Sequence, residues 1–115
     1  MSNEFETSPE VLEIIDKCSN KDKLRHTLTF IYKRLDTEGT PLRGHMWQSL
    51  CNHVAAMVER SVSGEKLEGF DENMFDEIGI ESKSFARDVT ASIGNLANNE
   101  SLLLSVHFER AKIPS

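Results

Sequence analysis

Four histidines give this 115-residue chain most of its chemical potential near neutral pH. The unperturbed imidazole pKa is about 6.5, so a ring nitrogen can serve as a nucleophile, a base or a metal ligand. His26 and His45 are interpreted as ordinary structural residues. His53 and His107 differ from them, because each lies well inside an apolar segment with helical periodicity. His53 and His107 are therefore the main candidates for a reactive or ligand-binding role.

Other kinds of active site find little support. His45 and His53 are eight residues apart, about 80° around a helix, and no His-Glu-x-x-His sequence occurs. The acidic residues nearest His107, Glu100 and Glu109, are assigned to other faces of its helix. Neither Gly-x-Ser-x-Gly nor Gly-x-x-x-x-Gly-Lys is present. A small metal-dependent enzyme is thus the least favoured hypothesis, and no enzymatic activity, metal or cofactor is predicted.

The helix that carries His53 is predicted to organise the fold. It is expected to run from Thr40 to Val62, with Thr40 as N-cap, Pro41 at the first helical position and Gly64 just beyond its end. His53 is placed on the margin of its apolar stripe, within reach of solvent. The stripe recurs at steps of three and four residues and consists of Leu42, Met46, Leu50, Val54, Met57 and Val58.

The same periodicity predicts the remaining helices, and no useful length of sequence alternates with a period of two. The fold class is therefore all-α, a compact bundle of about five main helices plus a short N-terminal one. Residues 1–20 are predicted to be an extension with that short helix, and residues 21–115 the helical domain. The expected helix starts are Ser8-Pro9, Asn20 or Asp22, Asp71, Ser82 or Ser84, and Glu100.

The last predicted helix, from Glu100 to Lys112, has apolar residues almost all round. A helix of this kind is normally buried on every side, so it is expected to be central. His107, within it, is expected to be more buried than His53.

Charge and composition exclude several classes of protein. Thirteen basic and 19 acidic residues give a net charge of −6, which argues against direct binding of nucleic acid. No apolar run approaches the roughly 20 residues of a membrane span, and the polar N-terminus lacks the features of a signal peptide. A cytoplasmic protein is expected, with Cys18 and Cys51 as free thiols.

Two segments that contain these histidines resemble one known family. Residues 50–60, Leu-Cys-Asn-His-Val-Ala-Ala-Met-Val-Glu-Arg, and residues 98–108, Asn-Asn-Glu-Ser-Leu-Leu-Leu-Ser-Val-His-Phe, are similar to the two histidine segments of the phosphotransferase-system regulation domain, or PRD. Residues 74–78 and 85–89 are similar to the family's third and fourth helices. The resemblance runs from about Leu24 to Lys112 and indicates a stand-alone PRD.

The resemblance implies a regulatory function. In this family such histidines accept phosphate from the sugar phosphotransferase system, through the carrier HPr or an enzyme IIB. His53 and His107 are the corresponding residues, and Arg60, Arg87 and Arg110 are candidates to receive the added charge. A homodimer is expected, and the output is transcriptional regulation or antitermination through a partner.

The chain departs from the family pattern at two places. Asn52 stands where an acidic residue often precedes the first histidine, and residues 96–100 lack the usual proline. An amide at position 52 can still orient an imidazole by hydrogen bonding. The alternative function is an interaction module whose histidines are unphosphorylated core residues and which pairs with a larger PRD-containing regulator.

Overall fold

Six helical segments make up the computed structural model, which describes residues 7–68 and 70–113. No strand occurs within these ranges, and the all-α prediction is confirmed. The first six residues of the predicted extension and the last two of the predicted domain lie outside the described residues. The elements are α1 (Pro9–Lys17), α2 (Lys21–Thr37), α3 (Gly44–Ser63), a 3₁₀ segment (Glu72–Phe75), α4 (Ile80–Ile93) and α5 (Glu100–Ala111).

Helix α3 is the central element. It packs against all four other α-helices, α1, α2, α4 and α5, and no other helix of the described residues does so. The prediction that the fold is organised around this helix is therefore correct. Its buried residues are Trp47, Leu50, Cys51, Val54, Met57 and Val58.

The start of α3 corrects the sequence-based prediction, because the helix begins at Gly44 and not at Thr40. Gly44 has a φ of +56°, a left-handed conformation that a right-handed helix cannot continue through. The preceding segment therefore lies outside the helix, and Leu42 reaches the core from there with only 3% of its surface exposed. At the other end the prediction is confirmed: Gly64 is left-handed, and its N–H donates to the Arg60 carbonyl at 2.8 Å.

Side-chain caps begin the first two helices as predicted. Ser8 accepts a hydrogen bond from the Val11 N–H, and Asn20 accepts one from the Lys23 N–H. Val11 and Ile15 of α1 are buried in the same hydrophobic core as α2 and α3. The predicted domain boundary at residue 20 therefore falls between two helices that share one core, and it stays a prediction.

Helix α4 begins at Ile80, before the two serines predicted to cap it. Glu109 of α5 explains the difference. Its Oε1 accepts hydrogen bonds from the Gly79 N–H at 3.2 Å and from the Ser82 hydroxyl at 2.8 Å. A carboxylate at a helix start satisfies free N–H groups and complements the helix dipole, so a tertiary contact replaces the local cap.

Helix α5 corrects a second prediction, because it is not buried on all sides. Leu104 and Phe108 are buried, whereas Leu102, Leu103 and Val106 are only half-buried. The ring of Phe108 stacks on that of Phe85 of α4, with centroids 3.9 Å apart. Helix α5 thus packs mainly on α3 and α4, and its apolar outer face stays partly accessible.

Both cysteines, Cys18 and Cys51, are buried and unbridged, as predicted. Within the described residues, no helix combines the length and the apolar character that a membrane crossing requires.

Candidate functional site

The two predicted acceptor histidines meet where α5 crosses α3. They are 54 residues apart in the sequence, yet Nδ1 of His53 lies 3.1 Å from Nε2 of His107, a hydrogen-bond distance. The rings are nearly perpendicular, at 77°, with centroids 5.0 Å apart. We refer to these two residues as the histidine pair. Asn52 does not orient His53 as proposed from the sequence: it is exposed and faces α1, and the partner of His53 is His107.

The histidine pair is held in the neutral state. Both rings are half-buried, so the expected difference in exposure between them is not observed. Burial lowers the pKa of His53 to about 4, and the charge of Arg60 acts in the same direction. Burial also lowers the pKa of His107 to about 4, helped by His53 and by Arg110. At neutral pH, therefore, one ring donates an N–H and the other accepts with a lone pair.

A second contact joins the same two helices. Arg60 of α3 donates from Nε and Nη2 to the two carboxylate oxygens of Glu100, at 2.6 and 2.8 Å. The Glu100 side chain is completely buried, and 18% of the Arg60 side chain is exposed. The hydrogen bond to Glu100 raises the pKa of Arg60. This bidentate pair places an anion at the first turn of α5 and a cation in the last turn of α3, as the helix dipoles favour.

The two contacts are in register. Arg60 follows His53 by seven residues, and Glu100 precedes His107 by seven, so the contacts lie two turns apart along antiparallel helices. The prediction that Glu100 lies off the face of His107 is wrong, because seven residues bring the chain almost back to the same face. That equal spacing was the signal in the sequence for the Arg60–Glu100 pair, which sequence reasoning missed.

A cavity of about 180 Å³ lies beside His107. Arg110, one turn along α5, contributes a cation, and the start of α3 contributes the side chains of His45 and Ser49. Leu42 and Met46 complete the lining. Because the sequence indicated only a structural role for His45, its place beside this cavity was not predicted. The missed signal is the four-residue spacing of His45 and Ser49, which places them on neighbouring turns of one helix face.

The other candidates lie away from the pair. Arg87, on the exposed side of α4, lines a different cavity with Thr90 and Asn95. His26 is exposed on α2. Within residues 7–68 and 70–113, no three His, Cys, Asp or Glu side chains are grouped as metal ligands. The site thus brings together the neutral histidine pair, the hydroxyl of Ser49 and the guanidinium of Arg110.

Comparison with solved structures shows a similarity over almost the whole chain. No protein-family model matches the chain, and no curated protein does. The chain is, however, similar to the crystal structure of a PRD-containing transcription regulator from Lactobacillus casei ATCC 334. The TM-score is 0.88, the sequences are 31% identical, and the match covers 94% of this chain and 96% of the other. This chain therefore belongs to the PRD family.

Proposed function

We propose that this chain is a regulatory domain controlled by phosphorylation of His53 and His107 from the sugar phosphotransferase system. Its output is transcriptional regulation or antitermination, exerted through a partner. The observation that carries this proposal is the histidine pair, in which two rings from distant segments meet in one neutral, half-buried contact. The structural neighbour is itself a transcription regulator, which supports a regulatory role.

The pair suits a switch because phosphorylation changes its charge strongly. A neutral imidazole is a competent nucleophile, and a phosphoryl group adds about 1.5 to 2 negative charges with several strong acceptors. Such a group cannot stay in a half-buried contact without partners for its oxygens. The added charge must therefore be received by a cation or force α3 and α5 apart.

Arg110 is the best placed of the three candidate arginines to receive a phosphoryl group on His107. It lines the same cavity as His107, and it makes no ion pair with the described residues. Arg60 already binds the buried carboxylate of Glu100. Arg87 lines a different cavity on α4. A guanidinium can hold phosphate oxygens in a bidentate way, and the hydroxyl of Ser49 adds a donor.

The proposal assigns the chain to the cytoplasm, with HPr or an enzyme IIB as phosphate donor. We further propose a homodimer, supported by the partly accessible apolar outer face of α5. A larger PRD-containing regulator is the other candidate partner. The net charge of −6 makes direct binding of nucleic acid unfavourable, so the output passes through protein contacts.

The test is incubation with phosphoenolpyruvate and the general phosphorelay proteins, followed by intact-mass measurement under alkaline conditions. The parent is expected to gain phosphoryl mass. The His53→Ala, His107→Ala double variant is expected to gain none, and His26→Ala, which removes an exposed histidine on α2, is the matched control. Equal uptake by the double variant would show that the phosphate lies elsewhere.

The alternative function is an unphosphorylated interaction module, and one observation favours it. The rings already satisfy each other by a hydrogen bond, as in a structural contact. In that case no donor, HPr or enzyme IIB, adds phosphate to the parent. The chain then still binds a larger PRD-containing regulator, which co-purification with that regulator would detect.

A further inference from the structure

The hydrogen bond within the histidine pair limits which nitrogen of each ring can react. This inference rests on the proposed function. Nδ1 of His53 and Nε2 of His107 face each other at 3.1 Å and leave no room for a phosphorus atom between them. The nitrogens that do not face the partner ring are Nε2 of His53 and Nδ1 of His107. We call these the far nitrogens.

The protons of the two neutral rings are coupled by this contact. If His53 donates from Nδ1, then His107 accepts at Nε2 and must carry its own proton on Nδ1. If His107 donates from Nε2, then His53 accepts at Nδ1 and carries its proton on Nε2. In each arrangement the two rings have the same tautomer. The one unused lone pair lies on the far nitrogen of the ring that donates.

We infer that the pair acts as one acceptor unit, in which the donating ring attacks phosphorus through its far nitrogen and the other ring takes its proton. The phosphoryl donor is a phosphohistidine of a carrier protein or, in the test, phosphoramidate. The far-nitrogen lone pair forms the new N–P bond. The N–P bond of the donor breaks, and its electron pair leaves with the imidazole or ammonia.

Proton transfer completes the step. The proton on the facing nitrogen of the attacking ring moves across the 3.1 Å contact to the facing nitrogen of its partner. The partner becomes imidazolium, and it now donates back to the phosphorylated ring. Burial lowers the pKa of both rings before reaction, so the partner is a poor resting base. The incoming negative charge favours the imidazolium form at the moment when the proton must be accepted.

The first test reads the tautomers of the full chain with ¹⁵N-labelled histidine at neutral pH. Both rings of the pair are expected to carry the proton on the same nitrogen type, either both on Nδ1 or both on Nε2. Opposite tautomers would place two donors or two acceptors face to face and would overturn the inference. This result does not depend on any phosphate donor.

The second test uses phosphoramidate, which needs no carrier protein, and locates the phosphate by ³¹P and ¹⁵N spectra. Phosphate is expected on Nε2 of His53 or Nδ1 of His107, and phosphate on a facing nitrogen would contradict the inference. Replacing the partner ring, by His53→Gln or His107→Gln, is expected to slow uptake at the remaining ring at least about tenfold. His26→Gln, at an exposed position, is expected to react at the parent rate.

The two proposals fail in different ways. If phosphoramidate modifies a far nitrogen but the phosphorelay proteins add no phosphate, the inference holds and the proposed function does not. If the phosphorelay proteins do phosphorylate the pair, but on a facing nitrogen, the function holds and the inference does not. Unchanged uptake at the remaining ring of both His53→Gln and His107→Gln would also overturn the inference, because it would show that no partner ring is needed to accept the proton.

Discussion

Two contacts join α3 to α5, two turns apart, and they differ in kind. Arg60 and Glu100 form a charged, bidentate pair in which the carboxylate is fully buried. His53 and His107 form a neutral pair that shares a single hydrogen bond and is only half-buried. The first contact satisfies its groups through two charge-assisted hydrogen bonds. The second consists of a single hydrogen bond between neutral rings, and the ring of His107 lines an open cavity.

Under the proposed function, the ion pair is a fixed point and the histidine pair is the switch. Breaking the ion pair would leave a buried carboxylate without a partner, which is among the most destabilising changes in a protein. Breaking the histidine pair leaves two neutral rings that can reach water. A bundle that is fixed at one end of α5 and weakly joined at its middle can change locally without unfolding.

The largest effect is expected from breaking the ion pair on one side. Arg60→Met leaves the Glu100 carboxylate buried and unpaired, and the free energy of unfolding should fall by about 3 to 5 kcal/mol. Urea unfolding followed by circular dichroism measures it. Arg87→Met, which removes an exposed arginine of α4, should change stability by less than about 0.5 kcal/mol.

Removing both partners sharpens this test. In the Arg60→Met, Glu100→Leu variant no buried charge is left, so most of the lost stability should return. A double variant as unstable as Arg60→Met would mean that the loss comes from packing, and the ion pair would not be the fixed point.

A smaller effect is expected when acid breaks the histidine pair. The folded pKa of each ring is about 4, below the unfolded value of about 6.5. The unfolded chain therefore binds more protons between these values, so this contribution is complete above pH 6.5 and is lost as the pH falls toward 4. We expect a loss of about 2 kcal/mol, because partial hydration reduces the full effect.

The control for this pH dependence is the His53→Gln, His107→Gln variant. Two carboxamides can hydrogen-bond each other but do not titrate, while Arg60, Arg110 and Glu100 remain in both proteins. From pH 7 to pH 4, the free energy of unfolding of the parent should fall relative to that of this variant. A constant difference would mean that the histidine pair is not held neutral by the fold.

The smallest effect on stability is expected at Arg110. Arg110→Gln removes an exposed cation that makes no ion pair with the described residues, so stability should change by less than about 0.5 kcal/mol. Phosphate on His107 loses its receiver, and its lifetime should shorten about fivefold, as expected for about 1 kcal/mol. Mass spectrometry at timed intervals measures it. An unchanged lifetime would remove Arg110 from the site.

The sequence was sufficient to predict the elements that depend on local signals. Ser8 and Asn20 cap their helices, and Gly64 ends α3. Most of the apolar stripe predicted for α3 lies in the core, but Met46 of that stripe is exposed. The residues that resemble the PRD family indicated the fold, which the structural neighbour confirms. The two caps and the end of α3 are determined by residues within one or two helical turns.

Features that depend on distant residues could not be predicted in this way. Helix α4 begins early because Glu109, about 30 residues away, supplies its cap. Helix α3 begins late because Gly44 is left-handed and Leu42 packs in the core. The meeting of His53 with His107 follows from the antiparallel packing of α3 and α5. Only the matching seven-residue spacings indicated that register in the sequence.

Hydrogen exchange measured by mass spectrometry, before and after incubation with phosphoenolpyruvate and the phosphorelay proteins, tests the central claim most directly. We predict phosphoryl mass on a peptide that contains His53 or His107, and faster exchange in the segments around these two residues. Exchange around Arg60 and Glu100 should stay slow. A lack of added phosphate, or an equal rise in exchange around both contacts, would contradict a phosphorylation switch at the histidine pair.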